Sequence, residues 1–283
     1  MTPLVSVIVP NYNHSNFLKD RIESILNQSF QNFELIILDD NSTDDSKSVI
    51  ETYRNNGKLK EIVYNQNNSG STFKQWQKGI SLSSGKYIWI AESDDFCQNK
   101  FLENLVFHLE KDLSLSLAYC KTYRIDGEGK YLDDLSFFYE DLSTKRWNKD
   151  YINNGYSEIK KYLAYKNTIP NASAVLFRKE KMFEIDEEIM TFKLCGDWLF
   201  WIKLLEKGNV YYTTSVINFF RTHDNTVRNI ESKNETSLKE KNIVKLYLLD
   251  SNLISKRSSF ASFIIIIEKK LKKYFKLNLF SEI

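Results

Sequence analysis

Leu4-Val5-Ser6-Val7-Ile8-Val9 and Phe33-Glu34-Leu35-Ile36-Ile37-Leu38 are two short aliphatic, β-branched runs, and the pattern between them decides the fold. The first run meets Pro10, which is expected to stop it and to leave Asn11, Tyr12 and Asn13 in a loop. Residues 17–26 then carry Ile22, Ile25 and Leu26 on one helical face. The second run ends in Asp39-Asp40-Asn41-Ser42, and Ser42 with Asp45 has the spacing of a capping box for a helix over residues 44–53. Strand, helix, strand, helix in about 50 residues is βαβ spacing, which predicts a parallel sheet with right-handed crossovers.

Working outward, residues 61–64 read as a third strand, residues 65–72 as a polar loop, and residues 73–82 as a helix with Phe73, Trp76 and Ile80 on its inner face. A fourth run, Ile88-Trp89-Ile90-Ala91, reads as a strand buried on both faces and ends in Glu92-Ser93-Asp94-Asp95. Strand ends of this kind line the ligand crevice of open α/β sheets. Carboxylates crowded there repel one another unless a hard divalent cation sits between them, so magnesium or manganese, holding a diphosphate, is one reading. The other is that Asp95 caps a helix starting near Gln98.

Residues 101–109 continue as a helix and 115–121 as a strand, whereas residues 126–156 are charged and aromatic without a clear period. Residues 174–178 read as a strand. Gly196-Asp197-Trp198 opens an amphipathic helix with Trp198, Leu199, Trp201, Ile202 and Leu205 inward and Gly208 as its C′ residue. Asp197 thus stands at the positive end of a helix dipole, where capping alone would explain it. Residues 210–220 alternate as a strand, and His223 follows in a polar exit where a structural role is the ordinary one. Residues 239–249 form a modest helix. Residues 259–280 combine Ile264–Ile267 with Lys269, Lys270, Lys272, Lys273 and Lys276, the pattern of an interfacial helix on an anionic membrane or of a helix docked on the domain or on a second protomer as a homodimer.

With 283 residues, 42% hydrophobic and 27% charged, the chain can bury a full core as one domain with a tail. The organisation expected is a domain over residues 1–230, followed by a helical tail over 231–283. A net charge of +2 gives no reason to expect nucleic acid. Aromatic residues at 14% are compatible with carbohydrate stacking. Cys97, Cys120 and Cys195 suggest neither a zinc site nor a disulfide framework, and a reducing cytoplasm, with peripheral contact at the inner face of the cell membrane through the basic tail, fits best. No leader pattern or membrane-span length is apparent. Neither a Gly-x-Gly-x-x-Gly turn after the first strand nor a Walker loop is present, so the sequence does not support dinucleotide or ATP binding in those styles.

Three blocks, Val5-Ser6-Val7-Ile8-Val9-Pro10-Asn11-Tyr12-Asn13, Leu38-Asp39-Asp40-Asn41-Ser42-Thr43-Asp44 and Gly85-Lys86-Tyr87-Ile88 running into Ser93-Asp94-Asp95, resemble the inverting family 2 glycosyltransferases of GT-A fold. Gly196-Asp197-Trp198 with Trp201, and Arg221-x-His223, are similar to that family's later acceptor-side motifs, so the likeness covers about residues 4–228. It implies an α/β fold with a Rossmann-like, mostly parallel sheet flanked by helices and a C-terminal helical tail, the part over about residues 1–125 being the nucleotide-binding half and that over about 126–230 the acceptor half. It also implies transfer of a sugar from a nucleotide-diphosphate sugar, UDP ahead of dTDP, to a hydroxyl of a glycan or lipid-linked glycan, in bacterial surface-polysaccharide synthesis. By the same resemblance Pro10, Tyr12 and Asp40 line the base pocket, Asp94 reaches the ribose, Asp95 binds Mn2+ or Mg2+, Asp197 is the catalytic base, and His223 approaches the metal or diphosphate. Glu92 stands where the family often has Asp, and Gly196 where it often has Glu. A sugar-nucleotide nucleotidyltransferase and a non-catalytic glycan-binding protein of the same fold are the rival readings. The first lacks its Gly-rich basic loop, and the second gives no reason to keep Asp40, Asp94, Asp95 and Asp197 together.

Overall fold

The computed structural model describes residues 2–185, 187–223 and 236–254. Its first half alternates as expected: β1 (Val5–Asn11), α1 (Ser15–Leu26), β2 (Phe33–Asp39), α2 (Ser46–Glu51), β3 (Leu59–Tyr64), α3 (Thr72–Leu82) and β4 (Tyr87–Ile90). β1 is parallel to both β2 and β4, and β2 is parallel to β3, giving the order β3-β2-β1-β4. The chain therefore moves outward from β1 and returns to its other side, and the reversal opens a crevice beyond the carboxyl ends of β1 and β4. β1, β2 and β4 are buried at every residue, as strands covered on both faces must be.

Pro10 lies inside β1, in register with Leu38, and does not end it. The reason is directional. Ile8 carbonyl oxygen accepts from Ala91 on the β4 side, so the even residues of β1 aim their polar groups that way, and β4 has ended by Ile90. The donor that proline lacks falls where no ladder partner exists.

The second half mixes directions. β5 (Phe96–Cys97), α4 (Phe101–Lys111), β6 (Leu115–Ile125), β7 (Tyr131–Asp133), α5 (Ser136–Tyr139), β8 (Tyr151–Asn153), α6 (Gly155–Glu158), β9 (Val175–Arg178), α7 (Glu187–Thr191), α8 (Gly196–Leu205) and β10 (Asn209–Arg221) precede α9 (Thr236–Asp250). β9 inserts antiparallel between β4 and β6, and β6 is parallel to β10, so both halves share one ten-stranded sheet. Residues 126–156, without a period in the sequence, contribute β7 and β8 as short edge additions.

Two apolar layers cover the sheet. Val5, Val7 and Val9 pack with α1 and α4 through Leu18, Ile22, Leu102 and Leu105, while Ile8, Ile88 and Ile90 pack with α3 and α8 through Trp76, Phe200 and Trp201. α8 is buried nearly all round rather than on one stripe, with Phe200 and Leu204 also inaccessible, because α9 lies over it through Val244 and Leu248. Gly208 is not a left-handed C′ residue. A Cβ there would meet Ser116 Oγ at 2.3 Å and Ser114 O at 2.5 Å, so glycine is required by close approach to β6. All three cysteines are buried, and none is paired in a disulfide among the described residues. Among the described residues no helix is long and apolar enough to cross a membrane, and the basic segment 259–280 lies outside them.

Candidate active site

The carboxyl end of β1 and the loop after β2 are tied into one platform. Asn11 Nδ2 donates to Asp39 Oδ1 at 2.8 Å, and Ser42 donates to both Asp39 oxygens. Ser42 Oγ also accepts from the Asn13 amide, so it joins the two loops instead of capping α2. Asn13 and Asn41 both adopt left-handed φ, of 56° and 62°, a conformation asparagine tolerates better than most residues. Tyr12 projects from this platform with 46% of its surface exposed, while Pro10 is buried.

Asp40 is 5% exposed and accepts four hydrogen bonds. Its Oδ1 takes Asn65 Nδ2, the Ser69 amide and Gln75 Nε2, and its Oδ2 takes Ser69 Oγ at 2.7 Å. It thereby pins the loop that leads into α3, and only Oδ2 keeps capacity for a further donor.

The acidic end of β4 divides into two environments. Asp95, 1% exposed, accepts from the Arg221 amide at 2.9 Å and from Asn171 Nδ2 at 2.9 Å, with Arg21 Nη2 at 4.0 Å. It does not cap the following helix, since α4 begins at Phe101 behind Lys100. Arg221 reinforces the turn by donating from Nε to the Asp94 carbonyl and from Nη1 to the Gly127 carbonyl.

Asp94 faces the other way. Its Oδ2 lies 3.3 Å from His223 Nε2, and one ligand atom from each of Asp94, His223 and His14 falls within 4.8 Å of the other two. His14 Nδ1 shares a 2.8 Å hydrogen bond with Ser93 Oγ, which orients its ring, and the His14 and His223 rings meet edge to face at 5.3 Å. Burial is the largest influence on His14 and holds its pKa below the ordinary histidine value, keeping it neutral. Burial alone would raise Asp94, but the His223 hydrogen bond and the two nearby imidazoles lower it, so it stays ionised. Burial and Asp94 push Asp95 upward, and burial followed by Asp94 pushes Glu92 up to about 8. Two imidazoles and one carboxylate converge as a donor set that fits a divalent metal ion.

Trp76 connects this edge to α8: its Nε1 donates to Glu92 Oε1 at 2.9 Å, and its ring packs on Phe200 and Trp201. The start of α8 rests on the first turn of α3, where a Cβ on Gly196 would lie 2.5 Å from the Phe73 ring. Lys193 Nζ donates to the Gly70 carbonyl in the Asp40-pinned loop. Asp197, the second residue of α8 and half-buried, accepts from Asn167 Nδ2 at 2.9 Å.

The structure brings Asp94, His14 and His223 together and places Asp95 in a separate polar network with Arg221 and Asn171, where the resemblance implies the ribose for Asp94 and the metal for Asp95. Sequence reading missed His14, Asn171 and Asn167. His14 had a legible signal, because it follows Asn13 in a loop already aimed at this edge; the asparagines had none beyond polarity.

A family model described as Glycosyl transferase family 2 matches residues 6–183. TuaG of Bacillus subtilis (strain 168), named for teichuronic acid biosynthesis, is 29% identical over 211 residues, covering 74% of this chain and 75% of its own. Chondroitin synthase of Escherichia coli is 35% identical over 133 residues, 47% of this chain but 19% of that one. The crystal structure of S. aureus TarS 1–349 in complex with UDP-GlcNAc superposes with a TM-score of 0.57 at 19% identity, covering 77% of this chain and 58% of that one, a likeness that concerns the fold. With the family model spanning more than half of its residues, this chain belongs to glycosyl transferase family 2 and is a glycosyltransferase of GT-A type.

Proposed function

We propose that the protein is an inverting transferase that moves a sugar from a UDP-sugar to a hydroxyl of a glycan or lipid-linked glycan destined for a surface polysaccharide. The observation that carries the reading is the meeting of Asp94, His14 and His223 at the β1/β4 switch point, coupled through Trp76 to the helix that presents Asp197. UDP and UDP-GlcNAc complexes of TarS, and the naming of TuaG for teichuronic acid biosynthesis, support the donor and the polymer class.

Asp94, His223 and His14 would hold a divalent cation, which when bound neutralises the charge that develops on the departing diphosphate. Tyr12, exposed on the β1 platform, offers a face on which the nucleotide base stacks, and Asp40 Oδ2 offers an acceptor for a base N–H. Pro10 shapes the floor of that pocket from inside β1. At the reacting centre the acceptor oxygen attacks the anomeric carbon as the bond to the diphosphate oxygen breaks, and the hydroxyl proton passes to Asp197. Asn167 donates to Asp197 Oδ2 and orients the carboxylate for that transfer. A single displacement without an enzyme nucleophile inverts the anomeric configuration. Asp95 supports the reaction indirectly by fixing the turn from which Asp94 projects.

Incubation with a panel of UDP-sugars, with Mn2+, with Mg2+ or with EDTA, tests the reading through UDP release and the anomeric coupling constant of the product. Mn2+-dependent release and a β-linked product from an α-linked donor are expected. Equal rates in EDTA, or a product that retains the donor's configuration, would contradict it.

A further inference from the structure

The N-cap residue of helix α8 is Cys195, whose side chain makes no capping hydrogen bond, while Asp197 Oδ1 accepts from the Trp198 amide at 2.8 Å inside the first turn. The amides that precede it are satisfied from 45 to 47 residues away, as Lys193 N donates to Glu240 Oε1 at 2.7 Å, and Leu194 N and Cys195 N donate to Glu240 Oε2 at 2.9 and 2.8 Å. Glu240 lies on α9 and is 5% exposed. Three consecutive amides aimed at one buried carboxylate form charge-assisted bonds at the positive end of a helix, and each such bond is stronger than its neutral counterpart. The same strap reaches the Asp40-pinned loop through Lys193 and Gly70, and Asp197 follows two residues after it. At the far end of α8, α9 makes a second tie, with Tyr247 Oη donating to Glu206.

We propose that Glu240 is a positioning residue for Asp197: the C-terminal helix supplies the carboxylate that fixes the start of α8, and so sets the place from which the base reaches the acceptor hydroxyl. This rests on the reading of Asp197 as base. α9 is then part of the catalytic apparatus as well as a cover for the apolar side of α8. A displacement of the base by about 1 Å reduces turnover by about a hundredfold, without altering contacts to the nucleotide.

The test uses the full chain and compares Glu240→Ala, Glu240→Gln and Tyr247→Phe with Asp197→Asn. All are assayed well below their melting temperatures for kcat, acceptor KM and Mn2+-UDP affinity. Glu240→Ala is expected to lose kcat by about a hundredfold at unchanged Mn2+-UDP affinity. Glu240→Gln, which keeps one acceptor oxygen and the side-chain volume, is expected to fall between it and wild type. Tyr247→Phe, which loosens α9 at the other end, is expected to lower stability and leave kcat unchanged. Should Glu240→Ala be insoluble, Glu240→Gln decides. Folded Glu240 variants turning over at the wild-type rate, or losing only Mn2+-UDP affinity, overturn the proposal while leaving an inactive Asp197→Asn to uphold the base. An Asp197→Asn enzyme of wild-type rate removes the base and the proposal together.

Discussion

Replacing Asp95 and Asp94 in turn by Asn separates a structural carboxylate from a ligand carboxylate. In Asp95→Asn the amide oxygen can still accept from the Arg221 amide, but the new NH2 must face the Asn171 NH2, so one hydrogen bond is lost. Arg21, fully buried, also loses the anion 4.0 Å from its Nη2. Breaking a buried pair costs about 3–5 kcal/mol, and the low end applies because the two groups are in contact without a hydrogen bond. Relief of burial of the charge and of its repulsion from Asp94, which together raise the Asp95 pKa, offsets most of that loss at pH 8 and leaves a net change within about 1 kcal/mol. With an unfolding entropy of about 2.1 cal/mol/K per residue, that keeps Tm within about 2 °C of wild type. Asp94→Asn removes the carboxylate that the His223 hydrogen bond and the two imidazoles hold ionised, and should lower the metal-free Tm at pH 8. Thermal unfolding with and without Mn2+ reads both effects. Asp95→Asn should start near wild type and keep its Mn2+-induced rise, which is about 2.7 kcal/mol of stabilisation at a hundred times Kd. Asp94→Asn should start below wild type and lose that rise. The opposite assignment of the Mn2+ response would refute the division of labour between the two residues.

Burial alone would raise Glu34, but hydrogen bonds from Ser6, Ser84 and Lys60 outweigh it and hold its pKa below the ordinary value. The folded chain therefore binds fewer protons there than the unfolded one, and the stability Glu34 contributes is present above the ordinary carboxylate pKa and lost as pH falls through the folded one. Glu34→Gln should cost about 1–2 kcal/mol at pH 7 and much less at pH 3, as read by urea unfolding at the two pH values; an equal cost at both would contradict the linkage. Gly79→Ala would place a Cβ 2.3 Å from Ile8 Cγ2, so overpacking outweighs the gain in helix propensity and a net loss of about 1–2 kcal/mol is expected. The loss should shrink when Ile8→Ala is also present, and a double-mutant cycle showing additivity would reject the contact. Deleting residues 259–283 should abolish sedimentation with vesicles of 30% anionic lipid (roughly the cytoplasmic-leaflet charge regime) while leaving Mn2+-UDP affinity intact; unchanged sedimentation would remove the interfacial helix.

The sheet was legible because buried parallel strands are continuous apolar runs: Val5–Val9, Phe33–Leu38 and Tyr87–Ile90 admit few other readings, and the helices between them carry ordinary apolar spacing. Pro10 misled because the rule that proline ends strands depends on which neighbour its nitrogen faces, and sequence does not show that β4 stops early on that side. The amphipathic reading of α8 underestimated its burial for a related reason, since the covering helix α9 arrives more than 30 residues later. At the site, the carboxylates were recognisable as a group, but two adjacent residues on a turn point in different directions. Which one meets His223 and which meets Arg221 depends on a contact between residues more than 120 positions apart. Glu240 was invisible for the same cause: a buried carboxylate that caps a distant helix looks, in sequence, like any other charge on a mixed face.

The central claim is that Asp197 takes the acceptor proton opposite a cation-bound UDP. Parallel measurement of kcat and of Mn2+-UDP dissociation constant for wild type and Asp197→Asn tests it most directly. The expected result is a fall in kcat of about 10²–10⁴-fold, the usual contribution of a positioned base, with an unchanged dissociation constant. Turnover at the wild-type rate with Asn at this position, or a loss confined to nucleotide binding, would contradict it.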